Sequence, residues 1–566
     1  MGKILNSAGQ LALFKGRCEG DYFVDKSEIL EKLNSLIGKV DEQYICITRP
    51  RRFGKTVMTN LISSYYAKGL DAKPLFDRLK IAGKKNYRQH LNQHNVVSLY
   101  MSDTPFECDS YKDYIRFYNK KITADLQEAF PQCDIEEEKG PWDNFQTIFQ
   151  DTGTKFIFIL DEWDSIFHND IFTEFDRRKY LDFLRNLLKD RPYVELAYMT
   201  GVLPIKKYSS GSELNMFDEF YFPTDTVYDT FFGFTENEVK ELCERNRQKG
   251  GTIRYEQLAE WYNGYYTSDG KRLYNPRSIN KALSQNTVKD YWTETGPGTE
   301  ILELVKNNVD AVKEDILRMI SGEKVAMSSD DFSASPHEIK TREDIYSVMI
   351  IYGFLSYYNG YLTIPNKELM KKFQKVLKDS SMGYIAKLAR NSNVMLEATL
   401  AGDTEKMVEI LEFVHNTEVP ILQYNDENSL SCIVNLIYLN ARDKYRIERE
   451  EKAGKGFADF IFYPLNPLDT AIILELKKDD TPEHAIRQIM DRKYYTRFLK
   501  CDNGETGCKQ KVLVVGMTYE KESGAHRCLV KELEEMLGEG VFGTERAGDG
   551  YHDDILDSLI GIIPDK

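Results

Sequence analysis

Residues Tyr44 to Thr59 read YICITRPRRFGKTVMT, and the fold class turns on how this stretch divides. The apolar run Tyr44 to Ile47 suits a buried strand, a basic loop follows, and Gly54-Lys55-Thr56 opens a helix carrying Val57, Asn60, Leu61 and Tyr65. Strand, loop, Gly-Lys-Thr, helix is the order of a phosphate-binding P-loop. The chemistry needs those residue types. Amide N–H groups at a helix N-terminus attract phosphate and Gly54 lets the backbone approach closely. Lys55 would neutralise charge on β- and γ-phosphates, and the Thr56 hydroxyl can ligate Mg²⁺. Against the pattern G-x-x-x-x-G-K-[ST], Arg49 takes the first glycine position, and the loop carries Pro50, Arg51 and Arg52. A surface loop of solvated cations is the alternative that this stretch alone leaves open.

Downstream, Lys155-Phe-Ile-Phe-Ile-Leu160 runs into Asp161-Glu162. A buried parallel strand has this composition, and its carboxyl end is where doubly wound sheets bind ligands. In the Walker B arrangement Asp161 would hold Mg²⁺ through water and Glu162 would polarise the attacking water. Standing alone, such a pair more often opens a loop; its order and distance after Gly-Lys-Thr favour a nucleotide site.

Four segments then make a recognisable set: Tyr22-Phe-Val-Asp-Lys26, Arg49-Pro-Arg-Arg-Phe-Gly-Lys-Thr56, Leu160-Asp-Glu-Trp-Asp164 and Thr200-Gly-Val202. They resemble the AAA-ATPase-like family found beside PD-(D/E)XK nuclease domains. Tyr262-Asn-Gly-Tyr265 and Tyr274-Asn-Pro-Arg-Ser278 resemble it too, with Arg277 where a tryptophan is common. The resemblance implies that an arginine-rich loop is normal. Arg49 and Arg52 would then join Gly54, Lys55, Thr56 and Asp161 in binding ATP, with Thr56 and Asp161 on Mg²⁺ (or Mn²⁺).

The chain of 566 residues is too long for one core, and its 42% hydrophobic and 29% charged content is that of an ordinary globular protein. A net charge of −15 argues against a generally basic nucleic-acid coat while leaving room for a local basic groove. None of the nine cysteines forms a C-x-x-C pair and the eight histidines form no zinc-spaced cluster, so a reducing, cytoplasmic setting is expected. The N-terminus lacks a long apolar run, and Asn6 stands where a myristoylation signal needs serine or threonine. Neither export nor a membrane span is expected. Self-association into a homo-oligomer stays open.

Residues 1–235 are read as the P-loop domain, an α/β parallel sheet. Its elements include a short helix at Ser27 to Leu36, strands at Val96 to Met101, Phe156 to Leu160 and Glu195 to Thr200, and a helix at Arg177 to Leu188. Thr200 either senses the γ-phosphate or simply ends its strand. Residues 236–285 are read as a helical lid opened by Thr235 as N-cap, from which Arg277 either reaches a phosphate or packs at the surface. Residues 286–410 form a helical, winged-helix-like connector: a helix from Ile345 to Leu355, then a hairpin whose Asn359-Gly360 supplies a type I′ turn.

The C-terminal part, 411–566, has its own chemistry. Gly456-Phe-Ala-Asp459-Phe-Ile-Phe-Tyr463 alternates as a strand, a turn follows, and Ala471-Ile-Ile-Leu-Glu475-Leu-Lys477 makes the next. Side chains alternate along a strand, so Glu475 and Lys477 share a face. If Asp459 joins them, two carboxylates can hold a divalent cation while the lysine stabilises a hydroxide or phosphate. Thr481-Pro482 starts a helix that would turn Gln488 back toward the site. This D-x15-E-x-K arrangement followed by a Gln helix resembles the PD-(D/E)XK nuclease superfamily, an α/β restriction-endonuclease-like fold. The resemblance implies a further acidic metal ligand on a preceding helix. Glu427 is the first candidate, ahead of Glu448 and Glu450.

The expectation is therefore an ATP-binding and ATP-hydrolysing protein that controls a Mg²⁺-dependent nuclease-like domain. Glu162, Asp459, Glu475, Lys477 and Gln488 would be catalytic, and the C-terminal domain would contact DNA or RNA. The alternative is an ATP-switched signalling or nucleic-acid-binding protein whose nuclease fold does not cut.

Overall fold

The computed structural model describes residues 2–205, 213–292, 309–320, 322–328, 339, 341–377, 384–415, 433–453, 456–498 and 511–538. The chain divides into two compact units, Met1–Met382 and Gly383–Lys566.

The first unit is built on five parallel strands: β1 (Tyr44–Thr48), β2 (Asn95–Tyr100), β3 (Phe156–Asp161), β4 (Val194–Gly201) and β5 (Asp218–Tyr221). They lie in the order β2-β3-β4-β1-β5. Every residue of β1 and β3 is buried, as a parallel sheet covered on both faces requires. Because β4 lies between β1 and β3, Thr200 pairs with Ile47 on one side and Asp161 on the other. The carboxyl ends of the P-loop strand and the acidic strand are thereby brought to the same edge. The helix expected at Arg177 begins earlier, at Glu174, where Thr173 and Asp176 form a reciprocal cap.

Beyond the sheet, helices Glu236–Gln248, Tyr255–Tyr262 and Pro276–Gln285 enclose a core of Val239, Leu242, Leu258, Tyr262, Ile279 and Leu283. The Thr235 hydroxyl accepts the Glu238 N–H at 3.5 Å, and Glu238 returns the bond to the Thr235 N–H at 2.8 Å. The segment is not purely helical, since β6 (Phe234–Thr235), β7 (Tyr265–Tyr266) and β8 (Arg272–Tyr274) form a small antiparallel sheet in it. Next come β9 (Val325–Ala326), β10 (Ser356–Tyr358) and β11 (Tyr361–Thr363), with helices Val309–Ile320, Arg342–Tyr352 and Lys367–Leu377. Asn359 and Gly360 sit at φ 53° and 84°, the two left-handed residues of a type I′ hairpin.

The second unit carries a mixed five-stranded sheet, β12 (Tyr445–Ala453), β13 (Gly456–Pro464), β14 (Ala471–Lys478), β15 (Val512–Tyr519) and β16 (His526–Glu532), in sequential order. Only β14 and β15 are parallel, and helix Pro482–Asp491 lies in the connection between them. Its Ile486 and Ile489 pack on Ile461, Ile473 and Val514. The approach is close: a Cβ on Gly516 would lie 2.3 Å from the Pro482 carbonyl oxygen. Helices Tyr384–Ala401 and Thr404–His415 belong to this unit, so its boundary falls inside the stretch that the sequence assigns to the connector. Side-chain bonds explain why: the Thr399 and Tyr438 hydroxyls are 2.5 Å apart, and Ser392 accepts the Asn440 N–H at 2.9 Å.

Candidate functional site

Two clusters stand at strand ends, one in each unit. In the first, the basic loop after β1 turns through Arg52 (φ 70°) and Gly54 (φ 97°) into helix Lys55–Tyr66. Gly54 is the residue type that reaches this backbone angle without steric cost, while Arg52 holds a left-handed conformation rare outside glycine. Lys55 is nearly buried, and its ammonium donates to the Arg49 and Pro50 carbonyls at 2.9 and 3.1 Å. Burial pulls its pKa down, and Asp164, Asp161 and Glu162 oppose that pull.

Asp161 ends β3, buried, with the Thr59 hydroxyl donating to it at 3.2 Å. Burial pushes its carboxyl up to about 6, against a hydrogen bond from Thr56, while Glu162 adds to the rise. The Thr56 hydroxyl and the Asp161 carboxylate, hydrogen-bonded to each other, are oxygen ligands of the kind that fits a hard divalent cation. Glu162 follows at φ 52°, exposed. Asp164, which the sequence reading gives no role, accepts the N–H groups of Val202 and Leu203 at 3.0 and 2.8 Å and faces His168 at 3.3 Å. Burial works to raise its pKa, but His168 and the Leu203 N–H outweigh it and hold the carboxyl below its ordinary value. The Thr200 hydroxyl donates to the Ile47 carbonyl at 2.7 Å, which ties β4 to β1.

A cavity of about 840 Å³ opens above this edge. Phe14, the Tyr22-Phe23-Val24 segment, the loop from Arg51 to Thr56, Glu162, Asp164 and the helix Pro276–Gln285 line it. Arg17, Lys26, Arg51, Arg52, Lys55, Arg277 and Lys281 face it, against Asp21, Glu162 and Asp164. In a chain of net charge −15 this is a local concentration of positive charge. The Tyr22 segment is fastened to helix Glu236–Gln248: Tyr22 donates to Asn246 at 2.7 Å, Arg245 to the Phe23 carbonyl at 3.0 Å, and Lys26 to Glu238 at 2.7 Å.

One expected nucleotide ligand is corrected. Arg49 does not line the cavity; its side chain, 1% exposed, is ion-paired with Asp225 and also donates to the Thr48 and Phe220 carbonyls at 2.8 and 3.0 Å. Placed at the end of β1 where that strand adjoins β5, its guanidinium closes the sheet edge rather than the loop. Arg49→Lys keeps the charge but loses the planar fork. It is expected to lower unfolding free energy by roughly 1–2 kcal/mol in urea titration while leaving nucleotide affinity unchanged.

In the second unit, Asp459 on β13 and Glu475 and Lys477 on β14 come together. The Asp459 N–H donates to Glu475 at 3.4 Å, the Leu476 N–H donates to the Asp459 carboxylate at 2.7 Å, and Lys477 donates to Glu475 at 3.2 Å. Gln488, projecting from its helix, also donates to Glu475 and lies 3.4 Å from the Tyr494 hydroxyl. Burial, then the charge of Asp459, pushes the Glu475 carboxyl up to about 7, and Lys477 counteracts them. Among the described residues no three His, Cys, Asp or Glu side chains converge as a ready metal cage. Two carboxylates fit a cation such as Mg²⁺, which keeps several waters. Glu427 and the Glu450 side chain lie outside the described residues. Glu448 is paired with Arg446 at 3.1 Å. Among the described residues no helix is long and apolar enough to cross a membrane.

Similarities to known proteins cover parts of the chain. The chain is 25% identical over 294 residues to an uncharacterized protein encoded in the vnfD 5′ region of Azotobacter chroococcum mcd 1, a match covering 51% of this chain. It spans about half (53%) of that relative's length. Among solved structures, a Walker-type ATPase of Pyrococcus abyssi overlaps 62% of this chain and 94% of its own at 12% identity, with a TM-score of 0.33. The ORC2 protein of Aeropyrum pernix, in ADPNP–ADP complexes, overlaps 62% and 91% at 12% identity and 0.32. Residues 14–210, which contain the loop, Asp161, Glu162 and Thr200, match the family model described as a predicted AAA-ATPase.

Proposed function

We propose that the first unit binds ATP with Mg²⁺ and hydrolyses it, and that this activity governs a metal-dependent, nuclease-like site in the second unit that acts on nucleic acid. The observation that carries the nucleotide reading is the cationic cavity at the carboxyl edge of the sheet, which Arg52, Lys55, Arg277 and Glu162 line. A polyanion with an apolar base fits it: phosphates by the loop amides and cations, the base by Phe14 and the Tyr22 segment. Thr56 and Asp161 would hold Mg²⁺, whose contribution is to neutralise charge developing between the phosphates. Glu162, exposed just past the end of β3, would take a proton from water. At the second site Asp459 and Glu475 would hold the cation, Lys477 would stabilise phosphate charge, and Gln488 would orient Glu475.

Lys55→Ala tests the nucleotide reading. Loss of one cation at ~4 Å from phosphate oxygen costs on the order of 1–4 kcal/mol, so ATP affinity should fall roughly tenfold to several-hundredfold in titration calorimetry. A folded variant that binds ATP like the wild type would overturn it.

A further inference from the structure

Glu368 lies in helix Lys367–Leu377, far along the chain from the loop and 1% exposed. Its carboxylate accepts the Ser278 hydroxyl at 2.9 and 3.0 Å, the Tyr291 N–H at 2.6 Å and the Trp292 N–H at 2.8 Å. These direct partners are all neutral, and a buried carboxylate without a cation upon it is costly to keep. What those partners hold is informative. Ser278 follows Arg277 in the first turn of helix Pro276–Gln285. Tyr291 presents its carbonyl to the Arg52 guanidinium at 3.5 Å.

Arg52 and Arg277 both face the cavity. Burial, then the neighbouring charge of Arg277, holds Arg52 below its ordinary pKa, while Glu368 pulls the other way. The two guanidiniums line one cavity from different elements, the loop after β1 and helix Pro276–Gln285, where together they make a site for an anion carrying more than one charge.

Resting on the ATP reading above, we infer that Glu368 is the positioning residue of a two-arginine clamp, Arg52 and Arg277, that grips the nucleotide's phosphates. It sets Arg277 through Ser278 and Arg52 through Tyr291, and touches no ligand itself.

The test is calorimetry with ATP and with adenosine on the full chain as wild type, Glu368→Gln, Ser278→Ala, Arg277→Ala and the Glu368→Gln/Arg277→Ala pair, each checked for cooperative melting. Glu368→Gln should weaken ATP roughly tenfold to a hundredfold, the scale of one well-placed charge-assisted hydrogen bond. Adenosine should bind as before, and the pair should lose less than the product of the single losses. Should Glu368→Gln fail to fold, Ser278→Ala removes only one donor and should show the same selective loss, about severalfold. ATP binding unchanged in a folded variant, or ATP and adenosine weakened alike, would overturn the clamp. A wild type that binds neither molecule would instead overturn the nucleotide reading.

Discussion

Glu162→Gln is expected to bind ATP as the wild type does and to hydrolyse it about 10²–10⁴-fold more slowly, the range a positioned general base supplies. Its neighbour Asp161 is tied into the protein by Thr59 and sits buried at the end of β3. Glu162 is different. Its left-handed backbone, φ 52°, takes the side chain out of the strand's alternation to an exposed position on the cavity wall. A non-glycine residue held there costs on the order of 1 kcal/mol, and such strain collects where function needs it. Glutamine has nearly the same shape and keeps the backbone, but it cannot take a proton. Its loss should therefore appear in kcat and hardly in Kd, because the interaction is made in the transition state. Single-turnover kinetics beside equilibrium binding separates the two. Equal loss of affinity and turnover would make Glu162 a structural carboxylate.

Local pattern carried the reading where chemistry and periodicity coincide. The buried run before Gly54-Lys55-Thr56 and the FIFIL run before Asp161 are strands because apolar continuity and length leave little else. Period-two alternation placed Glu475 and Lys477 on one face, and the bonds between Asp459, Glu475 and Gln488 close that cluster. Interactions between residues far apart in sequence were not legible. Arg49 and Asp225 are separated by 176 positions, and an arginine in a basic loop gives no sign that it will turn inward. Glu368 in KELMKKF reads as part of a solvated helix face, yet Ser278, 90 positions earlier, claims its carboxylate. Strand β5 is not legible in the sequence because it is four residues long, mostly half-exposed and half polar, without the apolar continuity of its neighbours. Asp164 closes the segment Leu160-Asp-Glu-Trp-Asp164, but only the fold shows the Val202 and Leu203 amides that it orders.

Asp459→Ala should abolish Mg²⁺-dependent cleavage of nucleic acid and leave ATP affinity unchanged, if the second site is the nuclease that we propose. Asp459 and Glu475 are brought together there, so removing Asp459 takes away one of the proposed cation ligands. The remaining carboxylate is already engaged: Glu475 receives Lys477 and Gln488. Asp459 is itself held by the Leu476 N–H at 2.7 Å, so its place is set by the strand and not by chance rotamer choice. The control of one site by the other is a separate matter, decided by binding energies: ATP can alter cleavage only if it binds one arrangement of the protein better than another. Cleavage should therefore be followed across an ATP titration in the wild type, in Lys55→Ala and in Asp459→Ala. Coupling predicts that the wild-type rate changes with ATP, that Lys55→Ala holds a constant rate, and that Asp459→Ala gives none at any ATP concentration. Identical rates in the wild type and Lys55→Ala throughout would mean two activities on one chain without control. Cleavage surviving in Asp459→Ala would move the cutting site elsewhere.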